Sequence, residues 1–255
     1  MSRAPKKANT KFLKSHEIDD MENISFIKKS KKKPNAGLLN LNLKEIHPLT
    51  KNQGYVFEQY GEGKNIVCSG SAGTGKSFCL LYLMLQDLVY NSEYEKIVIF
   101  RSAVATRNIG FLPGNEDEKL NAYELPYKTI VNDLFGRADA YEIIKKKDII
   151  EFLSTSYIRG TTFDNTLILV DEFENCNFHE LDSLITRCGK NTRIFFSGDF
   201  KQTDLDGKRE ISGYTDFMKI VNNMESFASI EFTIEDCVRS GLVKEYLIEK
   251  DKLGL

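Results

Sequence analysis

The sequence predicts an α/β fold in which a mainly parallel sheet is covered by helices on both faces. Two observations support this class: short, fully apolar runs recur along the chain, and stretches with helical periodicity separate them. A strand buried on both faces has this continuous apolar character, and successive parallel strands need a crossover, usually a helix. The 255 residues, of which 41% are hydrophobic, are enough for one such domain.

The elements follow in order from the apolar pattern and its period. The predicted strands lie at residues 65–68, 96–100, 149–153, 166–170, 193–196 and 229–233. The predicted helices lie at residues 77–90, 178–188, 214–223 and 242–252. Residues 118–135 are predicted to be helical only in part, because Pro126 interrupts them.

Composition excludes several classes of protein. No run of 18 apolar residues is present, so no membrane span is predicted, and the first residues lack the apolar stretch of a secretory signal. The five cysteines are far apart and form no Cys-x-x-Cys pair, which argues against a disulfide scaffold or a zinc ribbon. These features predict a protein of a reducing, cytoplasmic compartment without a membrane partner.

The net charge of −2 hides a basic N-terminal segment. Residues 1–33 contain ten Lys or Arg and four Asp or Glu. So basic and apolar-poor a segment cannot bury enough surface to offset its ordering entropy, and residues 1–40 are therefore predicted to be a mobile tail before a domain at 41–255. Two interpretations stay open: salt-sensitive affinity for RNA or DNA, or a solubilising role without a partner.

The segment from Gly70 to Ser77, GSAGTGKS, fits the phosphate-binding pattern G-x-x-x-x-G-K-[ST] at every fixed position. Glycines let the backbone point N–H groups at an anion, and the N-terminus of the following helix favours negative charge. Lys76 is expected to reach the β- and γ-phosphates, and the Ser77 hydroxyl to bind Mg²⁺. The predicted nucleotide-binding residues here are Ser71, Ala72, Gly73, Thr74, Gly75, Lys76, Ser77 and Phe78.

Two carboxylates, Asp171 and Glu172, directly follow the clearest buried strand. Parallel strands deliver their C-terminal residues to the ligand-binding edge of a sheet. Asp171 is therefore predicted to bind Mg²⁺, and Glu172 to orient or deprotonate the attacking water.

Three further residues are candidates for the same site. Gln202 follows the polar end of the strand at 193–196 and could sense the γ-phosphate. A Gln amide can pair with both the donor and the acceptor of adenine, which would suit Gln53, although an ordinary glutamine near a helix start is the alternative. Arg239 could stabilise charge on the transferring phosphoryl group, and the alternative is a surface arginine.

Together these motifs resemble the RecA-like core of superfamily-one helicases, and the match sharpens to the PhoH-like ATPases. Further segments carry this resemblance: Arg101-Ser102-Ala103-Val104, Gly110-Phe111-Leu112-Pro113-Gly114, and residues 157–163, 184–189, 197–205 and 236–243. The resemblance covers roughly residues 49–247. It implies an α/β, RecA-like P-loop NTPase core, in a family described as ATPases linked to RNA.

The resemblance also implies the role of each site residue. ATP would be bound by Gly73, Gly75, Lys76 and Ser77, with adenine contact from Gln53, Mg²⁺ at Ser77 and Asp171, water handling by Glu172, γ-phosphate sensing by Gln202 and an arginine finger at Arg239. The chain departs from the family at two positions. Glu174 stands where the family has a neutral amide, and Ser102 where it tends to have proline.

These observations predict a Mg²⁺-dependent ATP hydrolase that works with RNA or another single-stranded nucleic acid. Because the chain has one core, an Arg239 finger is expected to act in a neighbour's site, which predicts a homo-oligomer such as a ring. One alternative is a nucleic-acid binder that uses ATP as a structural or switching ligand. Others are a small-molecule kinase and a PhoH-linked ribonuclease, for which no acidic cluster outside the ATP site is visible.

Overall fold

The computed structural model of the protein describes residue 38 and residues 41–91, 93–102, 116–155, 158, 160–199 and 213–253. Within these ranges, six strands form one all-parallel sheet in the order β3-β2-β4-β5-β1-β6. The strands are β1 (Asn65–Gly70), β2 (Lys96–Arg101), β3 (Ile150–Ser154), β4 (Thr166–Asp171), β5 (Arg193–Ser197) and β6 (Phe227–Phe232).

Seven α-helices lie in the described part of the chain. They are α1 (Lys51–Gly61), α2 (Lys76–Tyr90), α3 (Glu116–Phe135), α4 (Ala140–Lys145), α5 (Phe178–Thr186), α6 (Tyr214–Val221) and α7 (Gly241–Lys252). Short 3-10 turns at Phe173–Asn175 and Ile234–Asp236 follow β4 and β6. None of the described helices combines the length and the apolar character that a membrane crossing requires.

Alternate residues of each strand belong to two separate cores, one on each face of the sheet. In β4, Leu167 and Leu169 pack with residues of α1, α2, α3 and α4. Ile168 and Val170 pack on the opposite face with residues of α5 and α6. Because successive side chains of a strand point to opposite faces, this division confirms the predicted α/β class with helices on both faces.

Three features differ from the sequence-based expectation or add to it. Helix α3 continues through Pro126, because its buried face packs Tyr127 and Val131 into the core and outweighs the lost backbone hydrogen bond. Helix α4 had no predicted counterpart, and α1 was anticipated only by the alternative that Gln53 lies near a helix start. Leu38 and Leu41 are buried in the core, so packed chain is present by residue 38; the rest of the predicted tail lies outside the described residues.

The strand order separates the two motifs that matter most. β1, which leads into the phosphate-binding segment, and β4, which ends in the acidic pair, lie on either side of β5. Asp171 is level with Ser197, and Cys68 of β1 is also level with Ser197. All strands run the same way, so the ends of β1, β5 and β4 meet at one edge.

Candidate nucleotide site

The phosphate-binding loop lies between the end of β1 and the start of α2. Gly75 is the residue before α2 and adopts a left-handed conformation with φ of 81°, which an L side chain rarely takes. The helix therefore begins at Lys76 with its first N–H groups at the loop. A helix N-terminus that follows a glycine-rich turn is suited to holding phosphate oxygens.

Lys76 is largely buried at the base of this loop, with 8% of its surface exposed. Its Nζ donates to the carbonyl oxygens of Gly70 at 2.7 Å and Ser71 at 2.8 Å. Burial lowers the pKa of the Lys76 ammonium from its ordinary value, although the nearby carboxylate of Asp199 and other acidic groups oppose that shift. A desolvated ammonium of this kind gains much from an anionic ligand such as a triphosphate.

Ser77, in the first turn of α2, contacts the ends of two strands, β4 and β5, through its hydroxyl. Its Oγ donates to Asp171 Oδ1 at 2.8 Å and lies 2.8 Å from Ser197 Oγ. Since the Ser77 hydroxyl has one proton, the Ser197 hydroxyl donates to Ser77. This donor set consists of oxygen atoms, two hydroxyls and a carboxylate, and it fits Mg²⁺, which prefers hard oxygen ligands.

The second oxygen of Asp171 is held from α3. The hydroxyl of Tyr127 donates to Asp171 Oδ2 at 2.7 Å, and the tyrosine is 1% exposed. Burial, together with the adjacent Asp171 carboxylate, raises the pKa of Tyr127 well above its ordinary value. Tyr127 therefore remains a hydrogen-bond donor across the physiological range of pH.

Glu172, the residue after β4, takes a left-handed backbone conformation with φ of 51°, so the chain departs from the extended conformation of the strand at this residue. The Nε of Arg101 donates to Glu172 Oε2 at 2.9 Å, and the Arg101 Nη2 pairs with Oε1. Burial lowers the pKa of the Arg101 guanidinium, but the hydrogen bond with Glu172 and the charges of neighbouring groups together outweigh it, so the pKa is raised. The two side chains form a bidentate ion pair beside Asp171, at the end of β4.

Glu174, where the sequence departs from the family pattern, is 3% exposed. Burial raises the pKa of its carboxyl to about 8, and the nearby acids Glu172 and Asp171 act in the same direction. Backbone hydrogen bonds, including one from Asp199, lower this pKa but do not offset burial. A Cβ atom placed on Gly198 would lie 2.2 Å from Glu174 Oε2, so this carboxyl packs directly on the end of β5. At neutral pH Glu174 is therefore mainly protonated and resembles the amide it replaces more than its formal charge suggests.

Gln53, predicted to contact adenine, contacts the loop itself. It is buried in the first turn of α1, where its Nε2 donates to the Thr74 carbonyl at 2.9 Å and its Oε1 accepts from the Leu49 N–H at 2.7 Å. A Cβ on Gly75 would lie 3.1 Å from Gln53 Nε2. Gln53 therefore supports the phosphate-binding loop, while its contact with adenine stays a prediction.

Arg239, from the segment that follows β6, also lies beside the loop. The Val238 N–H donates to the Gly73 carbonyl at 3.1 Å, and a Cβ on Gly73 would lie 2.8 Å from Arg239 Cγ and 3.5 Å from its Nε. Arg239 is exposed and belongs to the same chain as the loop. This proximity favours a role of Arg239 at the loop of its own chain, while its expected action in a neighbour's site and the homo-oligomer stay predictions.

The remaining predicted residues have simpler positions. Ser71 supplies a carbonyl to Lys76, the buried Thr74 donates its hydroxyl to the Ser71 carbonyl at 2.9 Å, and Ala72 lies between them. Phe78 is partly buried and packs against the core, and its contact with the nucleotide stays a prediction. Gln202 lies outside the described residues.

Sequence reasoning did not assign roles to Ser197, Arg101 or Tyr127. The first two end buried strands at the same sheet edge, and that rule alone could have found them. Tyr127 had no such signal, because it lies 44 positions from Asp171 on a helix whose direction only the folded structure defines.

Comparison with known proteins identifies the family. The family model described as PhoH-like protein matches residues 45–249. The chain belongs to the PhoH-like protein family. A PhoH-like protein of Bacillus subtilis (strain 168) is 28% identical over 249 residues, which cover 94% of this chain and 77% of that protein. Protein PhoH of Escherichia coli (strain K12) is 30% identical over 189 residues, covering 73% of this chain and 53% of its own length.

Solved structures that resemble this chain include a helicase and a terminase. The Pif1 helicase from Candida albicans has 19% identity and a TM-score of 0.38, covering 74% of this chain and 41% of the helicase. The large terminase from a thermophilic bacteriophage, in complex with ADP, has 14% identity and a TM-score of 0.45, covering 78% of this chain and 49% of the terminase. This PhoH-like chain, which spans about half the length of protein PhoH of E. coli, has an α/β core in which a phosphate-binding loop follows the first strand of an all-parallel sheet.

Proposed function

We propose that this PhoH-like chain binds ATP and Mg²⁺ and hydrolyses the γ-phosphate, and that it does so together with a nucleic acid. One observation carries the proposal: Lys76, Ser77 and Asp171 meet at a single sheet edge with Glu172 beside them. A buried ammonium, an oxygen-only donor set and a carboxylate are the three groups that phosphoryl transfer to water requires.

In the proposed reaction a water oxygen attacks the γ-phosphorus and the bond from that phosphorus to the β–γ bridging oxygen breaks, which releases ADP and phosphate. Lys76 and the loop N–H groups neutralise charge on the phosphate oxygens, and Glu172 orients the water and accepts its proton. Arg239, exposed beside Gly73, adds positive charge from within the same chain. Bound Mg²⁺, held by Ser77 and Asp171, would neutralise charge on the triphosphate.

Two variants with a matched control test this proposal. We expect Lys76→Ala to lose binding of Mg-ADP in calorimetry, and Glu172→Gln to keep that binding but lose phosphate release by about 10²- to 10⁴-fold. Lys96→Ala is the control, because Lys96 begins β2 at the opposite sheet edge and pairs with Glu151 at 2.9 Å. Failure of the wild-type chain to take up adenine nucleotides would contradict the proposal.

The nucleic-acid part of the proposal is supported by charge. Residues 1–33 contain ten basic and four acidic residues, in a chain whose net charge is −2. Contacts with a phosphate backbone release counterions, so their affinity falls steeply with salt. We expect RNA or single-stranded DNA to bind the full chain in a salt-sensitive way, and a chain that starts at residue 34 to bind it more weakly. Equal, salt-independent binding by both chains would refute this part.

A further inference from the structure

Helix α3 meets the acidic end of β4 with two tyrosines one turn apart. Tyr127 donates its hydroxyl to Asp171 Oδ2 at 2.7 Å. Tyr123 lies one turn earlier, and its ring centroid is 4.8 Å from the guanidinium carbon of Arg101. Residues four apart share one face of a helix, so a single face of α3 contacts both Asp171 and the arginine that holds Glu172.

Arg101 connects this helix face to Glu172. It is the last residue of β2, level with Asp171 of β4, and its side chain is 16% exposed. Its planar fork bonds both oxygens of Glu172, and its guanidinium carbon lies over the Tyr123 ring. Both contacts restrict the arginine, because bidentate pairing aligns the guanidinium with the carboxylate and the cation–π contact holds the guanidinium beside the ring.

Asp171 is restrained in the same manner. Its Oδ1 accepts from Ser77 at 2.8 Å and its Oδ2 from Tyr127. Each carboxylate oxygen has two lone pairs, so a hydroxyl on each oxygen still leaves positions for a cation. Outer partners of this kind orient metal-binding carboxylates, and their loss typically costs 10- to 100-fold in metal affinity.

We propose that α3 and Arg101 form one support that orients the two acids separately: Tyr127 positions Asp171 for the divalent cation, and Arg101, braced by Tyr123, positions Glu172 for the attacking water. The inference rests on the proposed function and deepens it. It assigns positioning roles to Tyr127, Arg101 and Tyr123, which act through Asp171 and Glu172, and it gives the two arms of the support different measurable effects.

The first arm is tested with Tyr127→Phe, which removes one hydroxyl and keeps the ring. The matched control is Tyr141→Phe, since Tyr141 is also 1% exposed and donates to a carboxylate, Glu124 of α3, at 2.6 Å. Mn²⁺ is the probe, and its binding to the ADP complex is followed by electron paramagnetic resonance. We expect Tyr127→Phe to weaken Mn²⁺ binding about tenfold or more, and Tyr141→Phe to leave it unchanged. Equal Mn²⁺ affinity in all three chains overturns this arm.

The second arm is tested with Arg101→Gln and Arg101→Lys. We expect Arg101→Gln to lower kcat by about 10- to 100-fold with little change in ADP or Mn²⁺ affinity, because Glu172 loses its orientation but the cation site does not. Lysine keeps the charge without the fork, so partial recovery of kcat is expected from it. An unchanged or increased kcat in Arg101→Gln overturns this arm, since it shows that the ion pair does not help Glu172 to act.

Failure of the proposed function and failure of the positioning roles give different results. If the wild-type chain binds neither ADP nor Mn²⁺-ADP, the proposed function fails. If the wild type binds and hydrolyses ATP but Tyr127→Phe and Arg101→Gln behave as it does, only the positioning roles are refuted. A loss of Mn²⁺ affinity caused by Arg101→Gln as large as that caused by Tyr127→Phe would refute the separation of the two arms.

Discussion

Replacement of Glu174 by glutamine is expected to change how the stability of the protein depends on pH. Burial raises the pKa of Glu174 from 4.5 to about 8, so between these values the folded chain keeps a proton that the unfolded chain loses. Stability from this group is fully present below pH 4.5 and falls as the pH rises toward about 8. At about 1.4 kcal/mol per pH unit, the whole loss is about 5 kcal/mol.

The glutamine variant has no carboxyl to ionise at this position, so it avoids the loss. Its amide has nearly the same shape and fits the space against Gly198 where Glu174 Oε2 lies. Relative to wild type, the variant should gain about 3 kcal/mol in free energy of unfolding between about pH 5.5 and about pH 8.5.

Urea denaturation of both chains at each pH measures this difference, because the midpoint and slope give the free energy of unfolding. Glu58→Gln, at an exposed position on α1, controls for the loss of one carboxylate from the net charge. A gap between wild type and Glu174→Gln that stays constant within about 0.5 kcal/mol across this pH range would refute the reasoning, since it would mean that Glu174 titrates alike in both states.

Three further outcomes are expected. Arg239→Ala should lower the rate of phosphate release, because Arg239 lies beside Gly73 of its own loop. For the same reason, a mixture of Arg239→Ala and Lys76→Ala chains should recover no activity. Recovered activity in the mixture would show that two subunits contribute to one site. Gln53→Ala should weaken binding of ATP and GTP alike in calorimetry, because Gln53 holds the loop through the Thr74 carbonyl; a selective loss of ATP would point to adenine contact. Phe196→Ala should lower the free energy of unfolding in urea by about 3–5 kcal/mol, because the ring is fully buried; a loss below about 1 kcal/mol would contradict the packing.

The fold class was predictable because parallel strands leave a direct trace in the sequence. The run Leu167–Val170 is apolar throughout, and it is buried on both faces because helices cover both. Local rules served less well where tertiary packing decides the outcome. Pro126 predicts an interruption, yet α3 runs through it, because Tyr127 and the residues beyond it pack into the core.

The candidate site was predictable where its residues are adjacent in sequence to a strand end or form a motif. The loop around Lys76 and the acids after β4 belong to this group. Contacts between distant segments left no such signal. Arg239 meets Gly73 because β6 lies next to β1. Tyr127 meets Asp171 because α3 packs on the face of the sheet that carries Leu167 and Leu169. Neither contact can be derived from spacing alone.

The position of β5 has a consequence for how the protein can change over time. β5 lies between β4 and β1, which do not pair with each other, and its last residue, Ser197, contacts Ser77. Successive side chains of a strand point to opposite faces of the sheet. One residue inserted into β5 would therefore turn Ser197 away from Ser77 and exchange the faces on which the aromatic residues of β5 lie. Substitutions of similar volume within β5 should be tolerated. A single insertion or deletion in β5 should instead disturb the placement of the Lys76 loop relative to Asp171 and Glu172.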